Sequence, residues 1–509
     1  MEKTNNKTIA KNTMFLYFRM MLTMVISLYT SRVILKTLGI DDYGLYQVVG
    51  GVVGFLSFLN GALSTGSSRF LTFELGKGNK EKLNRTFSTT LNIHICMAFI
   101  ILILAETIGL WFVYNKLVIP PDRLNAAVFV YHISILTALV SITQIPYNAS
   151  IISHEKMGIY AYTSIVEVSL KLAIVYLLVI GDFDKLKLYA SLLCIVQIGM
   201  ALFYRFYCTN KFKECHFSWK IDHHIFKEIA GFSGWSMFAS ISIALNNQGT
   251  TIITNMFFGP AIVTARALSL QVNMAAMQFV NNFRTAANPQ IVKRYASNDI
   301  DGSKRLLLNS TLFSYYLMLL LGLPIILLAE PLLNLWLDQV PPYSVIFLQL
   351  IIIQSLFSVF DTSFYTALYA KGRLRENAII SPLMGFIQFP VVYLLFKAGC
   401  SPVSLSWAGI VTYMILGIVI KPILVSKIVE GYKLSDFYRI ICRCTIVTIV
   451  ASIIPLYVSY NYPGDGFIRF IVICLVSFIS IITVVYFIGI DKQMKKGLYI
   501  MINEKLRKK

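Results

Sequence analysis

Fourteen apolar runs, each about 20 residues or longer, follow one another along this chain with mostly short polar stretches between them. A run of that length is what an α-helix needs to cross about 30 Å of hydrocarbon at 1.5 Å per residue. Lipid offers no partner to backbone N–H and C=O groups, so a spanning segment must bond them within itself, as a helix does. The runs lie near 12–35, 43–66, 87–113, 124–149, 158–180, 186–207, 230–258, 260–284, 306–329, 343–369, 377–398, 403–427, 437–460 and 467–490. The fold class predicted is therefore an all-α polytopic membrane protein with about fourteen transmembrane helices. Composition agrees: 56% of the residues are hydrophobic and 14% charged, against about 25% charged in soluble domains, and the mean hydropathy is +0.67.

The formal charge of +20 would suggest nucleic acid in a soluble protein. Here the cations sit mainly in alternate loops: Arg69, Lys77, Lys80, Lys82 and Arg85; Lys211, Lys213, Lys220 and Lys227; Lys293, Arg294, Lys304 and Arg305; Lys371, Arg373 and Arg375. That distribution orients helices rather than gripping phosphates, and no nucleic-acid partner is expected. With the basic leader MEKTNNKTIAK, read as the start of a signal anchor, and the basic tail after Asp491, it places both termini in the cytoplasm. Six of the eight cysteines lie in or beside apolar runs, where they pack as small hydrophobes. Cys208, Cys215, His216, His223 and His224 share a loop but lack CxxC or HxxxH spacing, so no metal is expected.

The outward loops are too short to fold a catalytic lobe, and no GxxxxGK[ST] phosphate loop is present. An enzyme is not expected, nor a cofactor; transport driven by a proton or sodium gradient is. The chain also aligns with itself at an offset of about 218 residues: YNASIISHEK from Tyr147 lies against YTALYAKGRL from Tyr365, and VYLL at Val175–Leu178 recurs at Val392–Leu395. The expected organisation is a six-helix lobe over 1–215, a second over 216–430, and helices 13 and 14 with a basic tail over 431–509. Two such halves around a midplane cavity suit alternating access, and because they complete a cavity a monomer is expected.

An ionisable side chain inside a bilayer costs about 2.5 to 3.5 kcal/mol on insertion scales. Arg266 and Arg284, five helical turns apart in the eighth span, share a face with Ser269, Asn273 and Asn281. The face lines water or polar substrate, or the two arginines snorkel at opposite ends. The seventh span carries Ser236, Ser240, Asn247, Thr250, Thr251 and Thr254 on one side, either as interhelical glue or as cavity lining. Gly50 and Gly54 in the second span form a GxxxG packing face. Glu167 and Lys171, at i and i+4, either neutralise each other, the favoured reading, or couple a proton. Asp361 has no partner by sequence and is a candidate for carrying a proton or sodium ion. His94 and His132 are read as hydrogen-bonding core residues.

In the first span, Arg19 lies within about 80° of Thr23, Ser27 and Thr30, and Arg32 lies on the far side. Arg19 is expected to face a cavity and Arg32 to anchor the helix at the interface. The first, second, seventh and eighth spans carry no acidic residue, so the cavity favours an anionic cargo; arginine binds phosphate through planar, bidentate donors.

The stretch Tyr29 to Asn79, with an arginine late in the first helix, then LG, DYGLY and a glycine-rich second helix, resembles Wzx-type oligosaccharide-lipid flippases. These form the polysaccharide-transporter branch of the multidrug/oligosaccharidyl-lipid/polysaccharide (MOP, MATE-like) superfamily. The resemblance implies a two-lobed bundle in the bacterial inner membrane that moves undecaprenyl-pyrophosphate-linked oligosaccharides to the periplasmic leaflet for O antigen, capsule or exopolysaccharide. It implies, as partners, that lipid-linked oligosaccharide, the surrounding membrane lipid, and the glycan polymerase and glycosyltransferases of the pathway. Peptidoglycan-precursor flippases look similar, with cavity arginines in helices 1 and 8; by position this supports Arg19 and Arg266. The expected substrate-binding set is Arg19, Arg266, Arg284, Asn273, Asn281, Asn247 and Thr251. The alternatives are a peptidoglycan-precursor flippase, a MATE-type drug or cation antiporter, and, from another class, a membrane glycan polymerase or ligase.

Overall fold

The computed structural model describes residues 2–56, 58–180, 182–219, 221–373, 375–462, 466–492 and 494–496. The side chains of residues 2–19, Arg19 among them, lie outside the described residues. Among the described residues there are fourteen long helices and no strand. They are α1 (2–38), α2 (40–56 and 58–77), α3 (Lys80–Asn115), α4 (Leu124–Ser153), α5 (Met157–Leu177), α6 (Lys185–Lys211) and α7 (223–258). They continue as α8 (Pro260–Ala296), α9 (Ile300–Leu327), α10 (Ser344–Lys371), α11 (Arg375–Lys397), α12 (Ser404–Ile428), α13 (Leu434–Asn461) and α14 (Gly466–Gly489). Gly39, at φ +83°, breaks α1 from α2 in a left-handed conformation that glycine adopts without cost. Among the described residues, ten stretches are long and apolar enough to cross a membrane. The chain is a multi-pass membrane protein. α8 is not among those ten, because its arginines, asparagines and glutamines lower its hydropathy.

The chain divides into two compact units. The first holds Met1–Ala267, Leu337–Pro342 and Gly385–Pro402; the second holds Leu268–Trp336, Tyr343–Met384 and Val403–Lys509.

Within the first unit, the DYGLY segment gives each residue a separate structural task. Asp42 and Asp184 both receive the Arg123 guanidinium, at 2.5–2.8 Å and 3.0–3.2 Å, which ties the α1–α2, α3–α4 and α5–α6 connections at one end of the bundle. Two carboxylates around one planar fork satisfy most of its donors. Tyr43 and Leu45 are buried, and Tyr46 sets its ring edge against Tyr189 at 4.9 Å. Gly44 is where α8 begins to pack: a Cβ there would lie 2.1 Å from the Pro260 carbonyl oxygen, while Thr264 donates to the Ile40 carbonyl at 2.7 Å. Gly44→Ala must therefore push two helices apart. The expected result is a loss of about 1–3 kcal/mol, read as a lower melting midpoint of the detergent-purified protein; an unchanged midpoint would contradict this packing.

The linker after α6 is fastened along α3. Asn84 donates to the carbonyls of Glu214 (2.8 Å) and His216 (3.3 Å), and Asn92 to that of Ser218 (2.9 Å). His154 stacks on Phe212 at 4.1 Å and bonds Glu214 at 2.5 Å. Cys208 and Cys215 are buried here.

Within the second unit, α13 and α14 pack on α9: Tyr315 bonds Thr448 (2.9 Å), and Tyr316 donates to the Gly489 carbonyl (2.9 Å). The internal repeat carries a shared device. In the first unit Arg205 of α6 bonds the Thr143 hydroxyl of α4 (2.5 Å) and lies 5.9 Å from the Tyr147 ring. In the second, Lys421 of α12 pairs with Asp361 of α10 (3.2 Å) and lies 5.6 Å from the Tyr365 ring. Asp361 and Tyr365 each stand 218 residues after their counterparts.

Candidate functional site

The polar residues singled out by sequence fall in both units. In the first, α7 contains a π turn, Leu245–Gly249, which interrupts the regular ladder. Asn247 emerges exposed from it, and Gln248 lies against the glycine face of α2, 3.2 Å from where a Cβ of Gly51 would sit. The GxxxG face thus receives a glutamine side chain. One turn on, Arg266 of α8 donates to the Thr251 hydroxyl at 3.1 Å, and Thr251 donates to the Asn247 carbonyl at 2.9 Å. Arg266 is half-buried, and among the described residues no carboxylate pairs with it.

The same unit holds a cavity of about 260 Å³ lined by Gly50 and Gly54 of α2, Ser134, Thr137 and Ser141 of α4, and Gln197 of α6. The α4 hydroxyls were not among the residues expected from sequence. Their i, i+3, i+7 spacing is the signal that marks such a face.

In the second unit, Arg284 of α8 donates to the Thr362 carbonyl of α10. Asn273 accepts from Ser355 at 2.7 Å, whereas Asn281 is exposed. Asp361, expected to be unpartnered, is paired. Lys421 reaches it at 3.2 Å and also bonds Asn377 and Ser381. The reason lies in α12: its π turn Ile415–Ile420 carries Gly417, where a Cβ would lie 2.8 Å from the Phe357 carbonyl. That close approach brings Lys421, one turn later, onto α10, where it is 1% exposed.

Three other charged groups have partners. Glu167 and Lys171 close a pair at 2.7 Å with both side chains partly exposed. Arg32, read from sequence as an interfacial anchor, also reaches Asp338 at 3.3 Å, beside Lys36 at 2.7 Å. The Lys36 ammonium, and after it the Arg32 guanidinium, hold the Asp338 carboxyl below the ordinary carboxylate range. His94 is buried and bonded to the Thr90 carbonyl (2.8 Å), and His132 bonds Glu106 (3.1 Å).

No protein-family model matches the sequence. A protein of Bacillus subtilis (strain 168) described as "Uncharacterized membrane protein EpsK" is 24% identical over 434 residues, covering 82% of this chain and 83% of its own length. Among solved structures, "Lipid II flippase MurJ, inward closed conformation" superimposes with a TM-score of 0.72 at 12% identity, covering 92% of this chain and 97% of that one. An inward-facing multidrug resistance MATE family transporter of the MOP superfamily gives a TM-score of 0.66 at 13% identity, covering 81% and 98%. The chain shares the fold of the lipid II flippase and of this multidrug transporter.

Proposed function

We propose that this protein is a flippase that moves an undecaprenyl-pyrophosphate-linked oligosaccharide between leaflets by alternating access, driven by a proton or sodium gradient and serving a surface polysaccharide. The observation that carries this reading is Arg266: a half-buried guanidinium on a polar helix face, bonded to the neutral Thr251 hydroxyl and without a carboxylate partner among the described residues. A permanent cation so placed suits pyrophosphate, whose oxygens match the guanidinium fork. Asn247 and Thr251 in the first unit belong with Arg266 to the proposed substrate contacts; Arg19, and Arg284, Asn273 and Asn281 of the second unit, are proposed as further contacts, and Asp361 is the proposed coupling carboxylate.

Purified protein in liposomes should move the lipid-linked oligosaccharide to the outer leaflet at least about 10-fold faster than empty vesicles, a difference of about 1.4 kcal/mol in barrier. An imposed gradient should accelerate it, and a rate equal to empty vesicles refutes the proposal. A second reading, lipid II as cargo, is favoured by the structural likeness to the lipid II flippase. Transport of lipid II in preference to the oligosaccharide in the same vesicles would select it, and resistance to cationic dyes on expression would select a drug antiporter.

A further inference from the structure

The second unit contains a cleft that none of these transport roles uses. It has a volume of about 290 Å³ and lies between the first turns of α9, the first turns of α13 and Asp491 just beyond α14. Four cations line it: Lys304 and Arg305 on α9, Arg439 and Arg443 on α13. Two are already engaged. Lys304 lies 3.6 Å from Asp301 and 3.7 Å from Asp436, and Arg443 pairs with Asp491 at 2.6 Å. Arg305 and Arg439 form no ion pair among the described residues. Four cations and the three carboxylates Asp301, Asp436 and Asp491 leave the lining with a net positive charge, and Arg305 and Arg439 are its two cations outside those ion pairs.

Its floor on α9 is largely apolar: Leu308 and Leu312 lie about one and two turns deeper along that helix than Lys304 and Arg305, with Asn309 beside them, and Ile440 sits between Arg439 and Arg443 on α13. The arginine-bearing face of α13 also continues as exposed apolar surface: Ile446, Ile453 and Tyr457 fall within about 40° of Arg439 on the helical wheel, at 44%, 58% and 69% exposure. A soluble phosphate would use the rim alone, whereas a ligand with an anionic head and hydrocarbon tails matches rim, floor and stripe together. The end of the bundle is also right, because Lys304, Arg305 and Arg439 stand where α9 and α13 begin, at the level that in a spanning helix meets lipid headgroups.

We infer that the α9–α13 cleft is a binding site for the phosphate of a lipid headgroup, held by Arg305 and Arg439, with acyl chains along the exposed face of α13. This does not depend on the cargo proposed above.

The test is lipid retention by the full-length purified protein in native mass spectrometry, offered phosphatidylglycerol or phosphatidylcholine with identical chains. Wild type should retain phosphatidylglycerol about 10-fold or more in preference, as two basic residues at a membrane surface allow. Arg305→Gln with Arg439→Gln should cut that preference at least about 5-fold at an unchanged melting midpoint. The exposed pair Lys80→Gln with Lys211→Gln, outside the cleft, should leave it intact. Wild type without preference, a double variant that binds as wild type, or a control that loses as much as the double variant would each overturn the site. Undecaprenyl pyrophosphate added as competitor names the source. Displacement of phosphatidylglycerol supports a site for the polyprenyl lipid, and retention supports a site for bulk phospholipid.

Discussion

Arg266→Ala is expected to reduce transport of lipid-linked oligosaccharide at least about 10-fold, and up to about 150-fold, while the protein still inserts and purifies as a single species. The range follows from the loss of a charge-assisted hydrogen bond to phosphate, about 1.5–3 kcal/mol. Stability should change little, because Arg266 donates to a neutral hydroxyl and leaves no carboxylate stranded among the described residues when removed. Arg266→Lys should fall between, since it keeps the charge and loses the fork. Thr251→Ala should cost less than either, because Thr251 positions the guanidinium and carries no charge. The measurement is the initial rate of cargo appearance in the outer leaflet of proteoliposomes, with size-exclusion profiles as the control. Wild-type transport by Arg266→Ala would sink the assignment.

Lys421→Met is expected to destabilise the protein by about 3–5 kcal/mol, the usual consequence of removing one partner from a buried ion pair. Lys421 is 1% exposed and the Asp361 side chain 13%, so the carboxylate left behind has little access to water. The double variant Asp361→Asn with Lys421→Gln removes both charges and should recover most of the lost stability, because Asn377 and Ser381 remain as hydrogen-bonding partners. If Asp361 couples an ion to transport, that double variant should fold and exchange cargo but lose acceleration by an imposed gradient. A double variant still accelerated as wild type would remove Asp361 from the coupling role, and a Lys421→Met protein as stable as wild type would show that the pair does not hold α10 to α12. Arg205 offers the contrast: its partner is the Thr143 hydroxyl, so Arg205→Met strands no charge.

The helices were legible because apolar runs of this length have one backbone solution in lipid. The repeat was legible because Tyr147 and Tyr365 begin aligned segments, and the structure puts a cation beside each ring. The partner of Asp361 was missed, although a signal existed. Lys421 is a charge inside an apolar run, in nearly the register of Arg205 in the first half. The DYGLY segment read as a family resemblance, but its physical content lay elsewhere. Asp42 needs Arg123, and Gly44 needs the Pro260 carbonyl, partners 81 and more than two hundred residues away.

Sequence alone determined that this chain crosses a membrane many times as helices, because hydrophobic length and self-satisfied backbone bonding are local properties of each segment. It also determined which side chains are too polar to face lipid. Which of those meet was settled by packing: Arg266 against Thr251, Lys421 against Asp361, Arg123 between two aspartates, and two arginines left over in the α9–α13 cleft. Helical periodicity assigns a residue to a face, but its partner on another helix is chosen by where backbones approach closely, as at Gly44 and Gly417, and that depends on contacts distant in sequence.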